Sequence, residues 1–427
     1  MLDIRFIRQN PNRVKKGCQV KQVTVDIDKL LEIDKKRRQT LQALEDMRAQ
    51  KNKANKEIQE ARNKKEKDKI ILKMQELDKN SDRLTKTLKE LEEEFNNLML
   101  FLPNLPQEDV PVGKDERENV VLREVGEKPP PHQIWCGGKA KDYLVLSEKL
   151  DLIDTKRAAK ISGTRFGFIK KEAALLEFAL INLAFDTLTQ RGFIPIVPSV
   201  MLKSEMAMGM GYLEQASDEE AYYLPKDDLY LVGTSEQSIG TMHTEEIFAE
   251  KDLPKRYLGF STCFRREAGA YGKDTKGIFR VHQFDKVEMF SFCRPDKSKE
   301  EHQLFLEMEE KLMKALKIPY RVIQLCTGDL ARPSAATFDI ESWLPGQNQY
   351  RETHSTSNCT DFQARRLNIR YRDKTGKLNF VHTINGTAFA IGRTLIAIIE
   401  NYQQKDGGIL LPEVLQKYTK FKKIPLK

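Results

Sequence analysis

Residues 256–267 read RYLGFSTCFRRE and residues 279–292 read FRVHQFDKVEMFSF, two strand-like runs joined by a basic, glycine-containing loop. Side chains two positions apart in a strand point to the same face of a sheet. The residues predicted to share a face are Arg265 with Glu267 on the first strand, and Phe284, Lys286 and Glu288 on the second. Such a face makes a poor core and suits a ligand with a phosphate, a base and an amine. A solvated sheet face carrying surface ion pairs would give the same pattern.

A second unusual segment lies near the C-terminus. Residues 385–402, NGTAFAIGRTLIAIIENY, predict a turn that runs into a helix. Its small residues Ala388, Ala390 and Gly392 would let the helix lie close to a sheet. Because a buried charge needs a partner, the arginine of this apolar stretch, Arg393, is expected to face an anion or a carboxylate.

The region before residue 104 has a different composition. It contains neither glycine nor proline between Gly17 and Pro103, and 33 of the 70 residues at 31–100 are charged. Apolar residues repeat there with the heptad spacing of coiled coils, most clearly at Leu77, Leu84, Leu88, Leu91, Phe95 and Leu98. The charged stretch at 63–69 separates two such runs and predicts an antiparallel helical hairpin about 50 Å long. A dimerising coiled coil, a solvated stalk and a basic antenna for a nucleic-acid backbone all fit this pattern.

Charge and composition exclude several classes of protein. The chain of 427 residues carries a net charge of +9, which favours an anionic partner. No apolar run reaches the roughly 18 residues needed to span a bilayer, so an integral membrane protein is excluded. The first residues lack the apolar core of a secretory signal and the six cysteines are scattered, so a reduced, cytoplasmic enzyme is expected. Neither a P-loop nor a dinucleotide fingerprint is present, and the six histidines show no metal-site spacing.

The domain organisation follows from these changes in composition. The segment 172–190 is apolar on nearly every side, so this helix is predicted to be buried in the core or across a subunit interface. A proline-containing strand at 192–198 follows it and suits the edge of a sheet. The predicted boundaries are a helical hairpin arm at residues 1–105, a linker at 106–140 and a catalytic domain at 141–427.

Taken together and in order, these motifs resemble the class II seryl-tRNA synthetases of the ordinary bacterial and eukaryotic-cytosolic type. The other matching stretches are the opening MLDIRFIRQNP, ISGTRF at 161–166, TSE at 234–236, HQF at 282–284 and SNCTDFQARR at 357–366. The resemblance implies an α+β fold with an antiparallel sheet flanked by helices and an N-terminal coiled-coil arm. It also implies a two-step reaction in which L-serine and ATP give seryl-adenylate, and the seryl group then passes to the 3′-terminal adenosine of tRNA-Ser.

The resemblance implies a serine pocket. It is built from residues that hold the ammonium group, Thr234, Ser235 and Glu236, and from residues that read the hydroxyl group, Glu288, Asn385 and Thr387. A site built to hydrogen-bond a hydroxyl group rejects alanine, because its buried polar groups would be left unpaired.

The resemblance also implies an ATP site. Arg265 would hold the serine carboxylate and the α-phosphate, and Arg393 would hold the γ-phosphate, which makes these two the implied catalytic residues. The other implied contacts are Arg266, Glu267 at the adenine amino group, Phe284 stacked on the adenine ring, and the run Glu352, Thr353, His354 and Ser355. Glu352 and Ser355 would also bind Mg²⁺ together with ATP, and no zinc is expected.

Two positions depart from the family pattern: His354 replaces a small residue, and residues 208–213 read MGMGYL in place of the commoner sequence. In the family the hairpin grips the long variable arm of tRNA-Ser, whereas binding of tRNA-Sec stays open. The helix at 172–190 matches motif 1, which implies a homodimer. Two alternatives are a synthetase-like enzyme that loads a carrier protein and a non-catalytic paralogue. The intact hairpin disfavours the first, and the presence of Arg265, Glu288 and Arg393 disfavours the second.

Overall fold

The computed structural model divides the chain into two units. They are Leu2–Pro103 and a second unit of residues 104–427 with Met1. The residues it describes are 1–61, 63–129, 139–213, 221–268, 274 and 276–426. No helix within these ranges is both long enough and apolar enough to cross a membrane.

The first unit is entirely helical. Its helices are α1 (Ile4–Gln9), α2 (Pro11–Val20), α3 (Ile27–Glu60) and α4 (Lys64–Phe101). At about 1.5 Å per residue, the two long helices are roughly 51 and 57 Å in length. They run antiparallel, since Lys29 near the start of α3 pairs with Glu94 near the end of α4 at 2.6 Å, and Lys51 pairs with Asp78 at 2.5 Å. The predicted hairpin is confirmed.

The break in the hairpin lies closer to α3 than predicted. The charged stretch at 63–69 was expected to separate the helices, but α4 already begins at Lys64. The Asn63 side chain accepts a hydrogen bond from the backbone N–H of Glu66 at 2.9 Å and so caps the helix. Capping satisfies an otherwise unpaired backbone donor, which explains why the charged residues that follow are helical.

The second unit is built around an eight-stranded sheet, with four small sheets beside it. In chain order its strands are β1 (Val120–Val125), β2 (Ile153–Asp154), β3 (Phe168–Ile169), β4 (Ile194–Ile196), β5 (Met201–Lys203), β6 (Tyr223–Leu224), β7 (Leu229–Leu231), β8 (Ile247–Ala249), β9 (Lys255–Phe264), β10 (Gln283–Cys293), β11 (Tyr320–Gln324), β12 (Ala336–Leu344), β13 (Gln349–Thr360), β14 (Arg370–Arg372), β15 (Leu378–Phe380), β16 (His382–Ala390), β17 (Ile409–Leu410) and β18 (Lys423–Ile424). The large sheet has the order β1-β11-β12-β13-β16-β10-β9-β4. Its neighbours are antiparallel except β4 and β9, which are parallel.

Helices cover this sheet and build the core with it. In chain order they are α5 (Tyr143–Leu150), α6 (Thr155–Ser162), α7 (Lys171–Thr189), α8 (Ser204–Gly209), α9 (Ser235–Thr241), α10 (Ser298–Leu316), α11 (Phe362–Arg366) and α12 (Ile391–Asn401). Buried apolar residues of α7, α10 and α12 join those of β10 and β16 in one cluster. The predicted α+β fold is confirmed.

Several element boundaries differ from the predictions. The strand predicted for 256–267 ends at Phe264, because the chain turns there and Glu267 takes a positive φ of 53°. The strand predicted from residue 279 begins only at Gln283. Much of the loop predicted between them lies outside the described residues. Asn385, expected in a turn, instead lies within β16 because it pairs with both neighbouring strands.

Two segments combine expected and unexpected features. Within the segment predicted as a linker, residues 120–125 form β1 at one edge of the large sheet, whereas residues 130–138 lie outside the described residues.

Helix α7 buries one side in the core but leaves Leu175 and Phe178 more than half exposed. Strand β4, at the opposite edge of the sheet, is the proline-containing edge strand that the sequence predicts.

Candidate active site

A cavity of about 470 Å³ lies over the centre of the large sheet. It opens where β10, β13 and β16 run side by side, at the ends of α9 and α12. Twelve of the predicted site residues line it: Thr234, Glu236, Arg265, Glu267, Phe284, Glu288, Glu352, Thr353, Ser355, Asn385, Thr387 and Arg393. Antiparallel pairing of distant segments brings these residues together.

One end of the cavity holds a buried carboxylate, that of Glu236. It accepts hydrogen bonds from Tyr212 Oη, Gln363 Nε2 and Asn385 Nδ2, each at 3.0 Å. Burial and the nearby charge of Glu288 raise the pKa of Glu236 to about 7. A carboxylate that is costly to ionise in isolation is well suited to bind a cationic group such as an ammonium.

Glu236 is held in place by the start of helix α9. Thr234 caps the helix, since its Oγ1 accepts from the backbone N–H of Glu236 at 3.3 Å. The helix can approach the sheet because β9 has a glycine at position 259. A Cβ there would lie only 2.6 Å from a methyl carbon of Ile239. This close approach places Thr234 and Glu236 beside the strands that carry the other polar groups.

A buried ion pair lies next to this carboxylate. Lys286 and Glu288 are neighbours on one face of β10, both buried, and their side chains form an ion pair. Burial raises the pKa of Glu288, although Lys286 opposes that shift. Glu288 faces Thr387 across the β10–β16 pair, and Thr387 is also buried. Together they offer a hydroxyl group a hydrogen-bonding partner away from water.

Arginine and aromatic side chains form the middle of the cavity. The Arg265 guanidinium lies 5.3 Å from the centre of the Phe284 ring, and its Nε donates to the carbonyl oxygen of Gly233 at 3.2 Å. Glu267 pairs with Arg280 at 3.3 Å. A cation, a ring and a carboxylate therefore line the cavity within a few residues of the turn between β9 and β10.

Arg393 and Glu352 close the other end. Arg393 Nη1 lies 3.0 Å from Glu352 Oε1, and the guanidinium lies 4.8 Å from the Phe279 ring centre. Desolvation by the surrounding protein alone would raise the pKa of Glu352. The positive charges of Arg393 and Arg265 have the larger and opposite effect, so the pKa of Glu352 lies below its ordinary value. Arg393 therefore faces a carboxylate, as its sequence context predicts.

Oxygen ligands suitable for a hard cation also lie at this end. Ser355 faces Asp339 across the β12–β13 pair, and one oxygen of the Asp339 carboxylate, Oδ1, is buried without a hydrogen-bond partner. Burial and the charge of Glu352 raise the pKa of Asp339 well above its ordinary value. Carboxylate and hydroxyl oxygens are the ligands that Mg²⁺ prefers, together with phosphates and water. Within the described ranges no group of three or more His, Cys, Asp or Glu side chains could hold a metal ion. A cation at this end would therefore need phosphate or water oxygens as further ligands.

Three predicted residues do not bring their side chains to the cavity. Ser235 is buried, with its Oγ 3.5 Å from the carbonyl oxygen of Gly259. Arg266 is exposed and lies 5.8 Å from the Tyr222 ring centre. His354 is buried, with its ring 5.8 Å from that of Phe389.

A bulge explains the orientation of His354. The register of β12 and β13 shifts between the pairs Ile340–His354 and Glu341–Glu352, so Thr353 is an extra residue. The shift turns Glu352 and Ser355 toward the cavity and His354 toward the core. Burial lowers the pKa of His354 to about 3, so its imidazole is neutral.

The structure adds residues that sequence reasoning did not assign to the site. Lys286 was placed on the correct face of its strand by the two-residue alternation, yet it was given no role. Tyr212 and Gln363 hold Glu236 from two distant segments, and Phe279 lies under Arg393. Only Lys286 had a signal in the local sequence, since the other contacts depend on the tertiary fold.

Comparisons with known proteins agree across the whole chain. Residues 1–106 match the family described as "Seryl-tRNA synthetase N-terminal domain", and residues 222–402 match "tRNA synthetase class II core domain (G, H, P, S and T)". A serine–tRNA ligase of Dictyoglomus thermophilum is 44% identical over 426 residues, covering 98% of each chain.

Solved structures match equally well. A seryl-tRNA synthetase from Pyrococcus horikoshii complexed with ATP superposes with a TM-score of 0.91 at 40% identity, over 100% of both chains. A cytoplasmic serine–tRNA ligase from Naegleria fowleri in complex with AMP gives 0.87 at 34% identity, over 100% of this chain and 99% of that one.

Proposed function

The chain belongs to the seryl-tRNA synthetase family, and from this premise we propose how its cavity joins serine to tRNA at the expense of ATP. The enzyme is a serine–tRNA ligase of class II. Serine and ATP give seryl-adenylate and pyrophosphate, and the seryl group then passes to the terminal adenosine of tRNA-Ser. The observation that carries the assignment of roles is the buried Glu236 carboxylate, which three donors hold beside the Lys286–Glu288 pair.

Serine binds at the carboxylate end of the cavity. Its ammonium group pairs with Glu236 and with the Thr234 hydroxyl group. Its own hydroxyl group reaches Glu288 and Thr387, which face each other across β10 and β16. Asn385 donates to Glu236 at 3.0 Å and so orients that carboxylate rather than binding the hydroxyl group alone. Alanine would not supply the hydroxyl group that Glu288 and Thr387 bind in this buried site, which opposes its binding.

ATP binds across the middle of the cavity and its far end. Phe284 stacks on the adenine ring and Glu267 accepts from the adenine amino group. Arg265 holds the serine carboxylate beside the α-phosphate, and Arg393 holds the γ-phosphate. Both arginines must exchange their present partners, the Gly233 carbonyl group and Glu352, for phosphate oxygens.

The first step is a displacement at the α-phosphorus. A serine carboxylate oxygen attacks, the bond to the β-phosphate oxygen breaks, and pyrophosphate leaves with that electron pair. No general base is required because the carboxylate is already ionised, so catalysis consists of positioning and charge neutralisation. Arg265 is the residue placed to neutralise the charge that develops at the α-phosphate.

The far end of the cavity fits Mg²⁺ bound with ATP. Glu352 and Ser355 would hold the ion, with the Asp339 carboxylate behind them, and the ion would neutralise phosphate charge. The unpartnered buried Oδ1 of Asp339 supports this fit, since it lacks a protein donor.

The active form in this proposal is a homodimer. Leu175 and Phe178 on α7 are 53% and 61% exposed, and Ile194 and Val197 at β4 are 47% and 78% exposed. These large apolar side chains lie on packed neighbouring elements at one edge of the sheet. Exposed apolar surface of this kind marks a protein interface. Sedimentation of the purified chain tests the proposal, and a monomer at micromolar concentration would contradict it.

The decisive experiment is ATP–pyrophosphate exchange with each of the twenty amino acids and no tRNA present. Exchange with serine alone would support the proposed roles of Glu236 and Glu288. Exchange with a different amino acid would overturn the roles of Glu288 and Thr387, whereas no exchange with any amino acid would refute adenylation itself. Charging of tRNA-Ser by the same preparation then tests the second step.

A further inference from the structure

Helix α10 carries a fully buried carboxyl group, that of Glu309. Within the described ranges neither of its oxygens has a hydrogen-bond partner of ordinary geometry. The next residue along the helix, Glu310, differs in this respect, because it accepts hydrogen bonds from Arg123 at 2.6 Å and from Tyr320 at 2.9 Å. A polar group that is buried without a partner is costly, so Glu309 requires an explanation other than stability.

Glu309 lies directly behind strand β16, at Gly386. Asn385 and Thr387 line the cavity, so the residue between them points to the opposite face of the sheet. A Cβ on Gly386 would lie 3.2 Å from Oε1 of Glu309 and 2.9 Å from Cδ1 of Phe305 on the same helix. The missing side chain lets the carboxyl group reach the backbone of the strand, so that only the strand separates it from the serine pocket.

The surroundings of Glu309 hold its carboxyl group in the uncharged form. Burial raises the pKa of Glu309 well above its ordinary value, and the charges of Asp339 and Glu288 raise it further. Lys286 and the backbone of Thr387 oppose this rise without reversing it. An ionised Glu309 would compete with Glu288 for Lys286, whereas an uncharged one leaves the buried ion pair of the cavity intact.

Packing alone would be served better by an apolar side chain at this position. The inward face of α10 is otherwise apolar around it, with Phe305, Leu306, Leu312, Met313 and Leu316 in the main core cluster. A leucine would fill similar space without burying a polar group. The one carboxyl group that lies against the strand does so behind two residues of the pocket, which indicates a role in the pocket.

We propose that Glu309 is a positioning residue of the serine pocket, which holds the backbone of residues 385–387 from behind the sheet. The inference rests on the proposed binding of the serine hydroxyl group by Glu288 and Thr387. These two residues face each other across the β10–β16 pair, so their separation depends on where the backbone of β16 lies. Recognition of a hydroxyl group is sensitive to small displacements, because hydrogen bonds weaken steeply when distance or angle changes.

The test is ATP–pyrophosphate exchange by the full-length enzyme, with serine and with threonine as the amino acid. Glu309→Ala opens space behind Gly386, so the KM for serine is expected to rise about tenfold, with kcat and the KM for ATP changed less than about twofold. The ratio of kcat/KM for serine to that for threonine should fall about tenfold, since a strand that is free to move back admits the extra methyl group.

Two further variants identify what the carboxyl group contributes. Glu309→Gln keeps the shape and an uncharged polar group, so it should restore the KM for serine to within about twofold of the unmodified enzyme. Glu309→Leu fills the space without a polar group and should still raise this KM at least about fivefold. If the Gln variant lost as much as the Ala variant, a negative charge would be needed and the proposal would be wrong. A Leu variant equal to the unmodified enzyme would show that the side chain only fills space.

Leu316→Ala is the matched control for stability. It removes an equally buried side chain at the far end of the same helix, so it should lower the melting temperature and leave both the KM for serine and the serine-to-threonine ratio unchanged. The proposal would be overturned if Glu309→Ala matched Leu316→Ala in all three measurements. Should Glu309→Ala not fold, the comparison of the Gln and Leu variants decides the question alone. Absent serine-dependent exchange in the unmodified enzyme would instead refute the catalytic proposal on which this inference rests.

Discussion

The hairpin and the cavity each contain a lysine paired with a carboxylate, one exposed to solvent and the other buried. Lys51 and Asp78 pair on the hairpin with 25% and 57% of their side chains exposed, whereas Lys286 and Glu288 pair with 11% and 1% exposed. Water and salt screen the first pair, so its contribution to stability is small. Neither partner of the second pair can be hydrated if the other is lost. The comparison indicates that losing one partner costs little on the hairpin, whereas in the cavity it leaves a buried charge without its partner.

The largest expected effect comes from an arginine in the cavity. Arg265→Ala should lower the rate of serine-dependent ATP–pyrophosphate exchange roughly 10⁴-fold, because an arginine that neutralises a transferring phosphate contributes on this scale. Arg38→Gln on the helical unit should leave that rate unchanged. If the two variants lost activity equally, the division of labour between the two regions would be wrong.

The buried and exposed ion pairs allow a direct comparison of stability. Lys286→Ala leaves Glu288 buried without its partner and is expected to lower the free energy of unfolding of the second unit by about 3–5 kcal/mol. Thermal unfolding followed by circular dichroism measures this loss. A shift in melting temperature of less than about 2 °C would show that Glu288 does not depend on Lys286.

The hairpin should respond to lost packing without a loss of adenylation. Leu44→Ala removes a side chain that is 4% exposed on α3 and is expected to destabilise the helical unit by about 2–3 kcal/mol. Proteolysis within residues 2–103 should accelerate while pyrophosphate exchange stays normal. A fall in exchange would mean that the cavity depends on the hairpin.

The titration of Glu236 should make both stability and serine binding depend on pH. With its pKa raised to about 7, the folded, serine-free enzyme retains a proton that the unfolded chain releases near pH 4.5. This group therefore makes the protein less stable as the pH rises from about 4.5 to about 7. Serine, whose ammonium pairs with the ionised form, should bind more tightly over the same range, with KM falling by up to about tenfold per pH unit below 7. A KM independent of pH between 5.5 and 8 would contradict this role.

The smallest expected effect belongs to the exposed pair. Lys51→Ala should change the melting temperature by no more than about 2 °C. Water stabilises the separated, exposed side chains nearly as well as they stabilise each other, so the pair adds little to the free energy of unfolding. The same measurement on Lys286→Ala provides the contrast. A large fall in melting temperature for Lys51→Ala would contradict this expectation. It would mean that solvent does not screen the hairpin pair, although both side chains are partly exposed.

The hairpin was predictable because its signal is local. A heptad repeat appears in consecutive residues, so two long antiparallel helices followed directly from the spacing. The position of the break did not follow, because a single capping contact at Asn63 outweighs the charged stretch after it. Local pattern thus determined the element, whereas an individual hydrogen bond determined its end.

The cavity was predictable only in part. Alternation along β10 correctly placed Phe284, Lys286 and Glu288 on one face, and the family resemblance supplied most of the other lining residues. The orientation of His354 depends on a register shift between two strands, which no sequence pattern shows. Two of the three donors to Glu236, those of Gln363 and Asn385, lie more than 100 residues from it in the sequence. Such contacts exist only after folding and leave no periodicity to read.

The position of β1 in the sheet has a consequence for the order of events on the ribosome. This strand is complete at Val125, but its pairing partner β11 begins only at Tyr320, about 200 residues later. At roughly 5–20 residues per second, β1 emerges some 10 to 40 s before anything can pair with it. The helical hairpin, whose partners are close in sequence, can form in that interval. The outermost strand must therefore stay free of wrong pairings until three quarters of the chain have been made, and translation speed sets how long that takes.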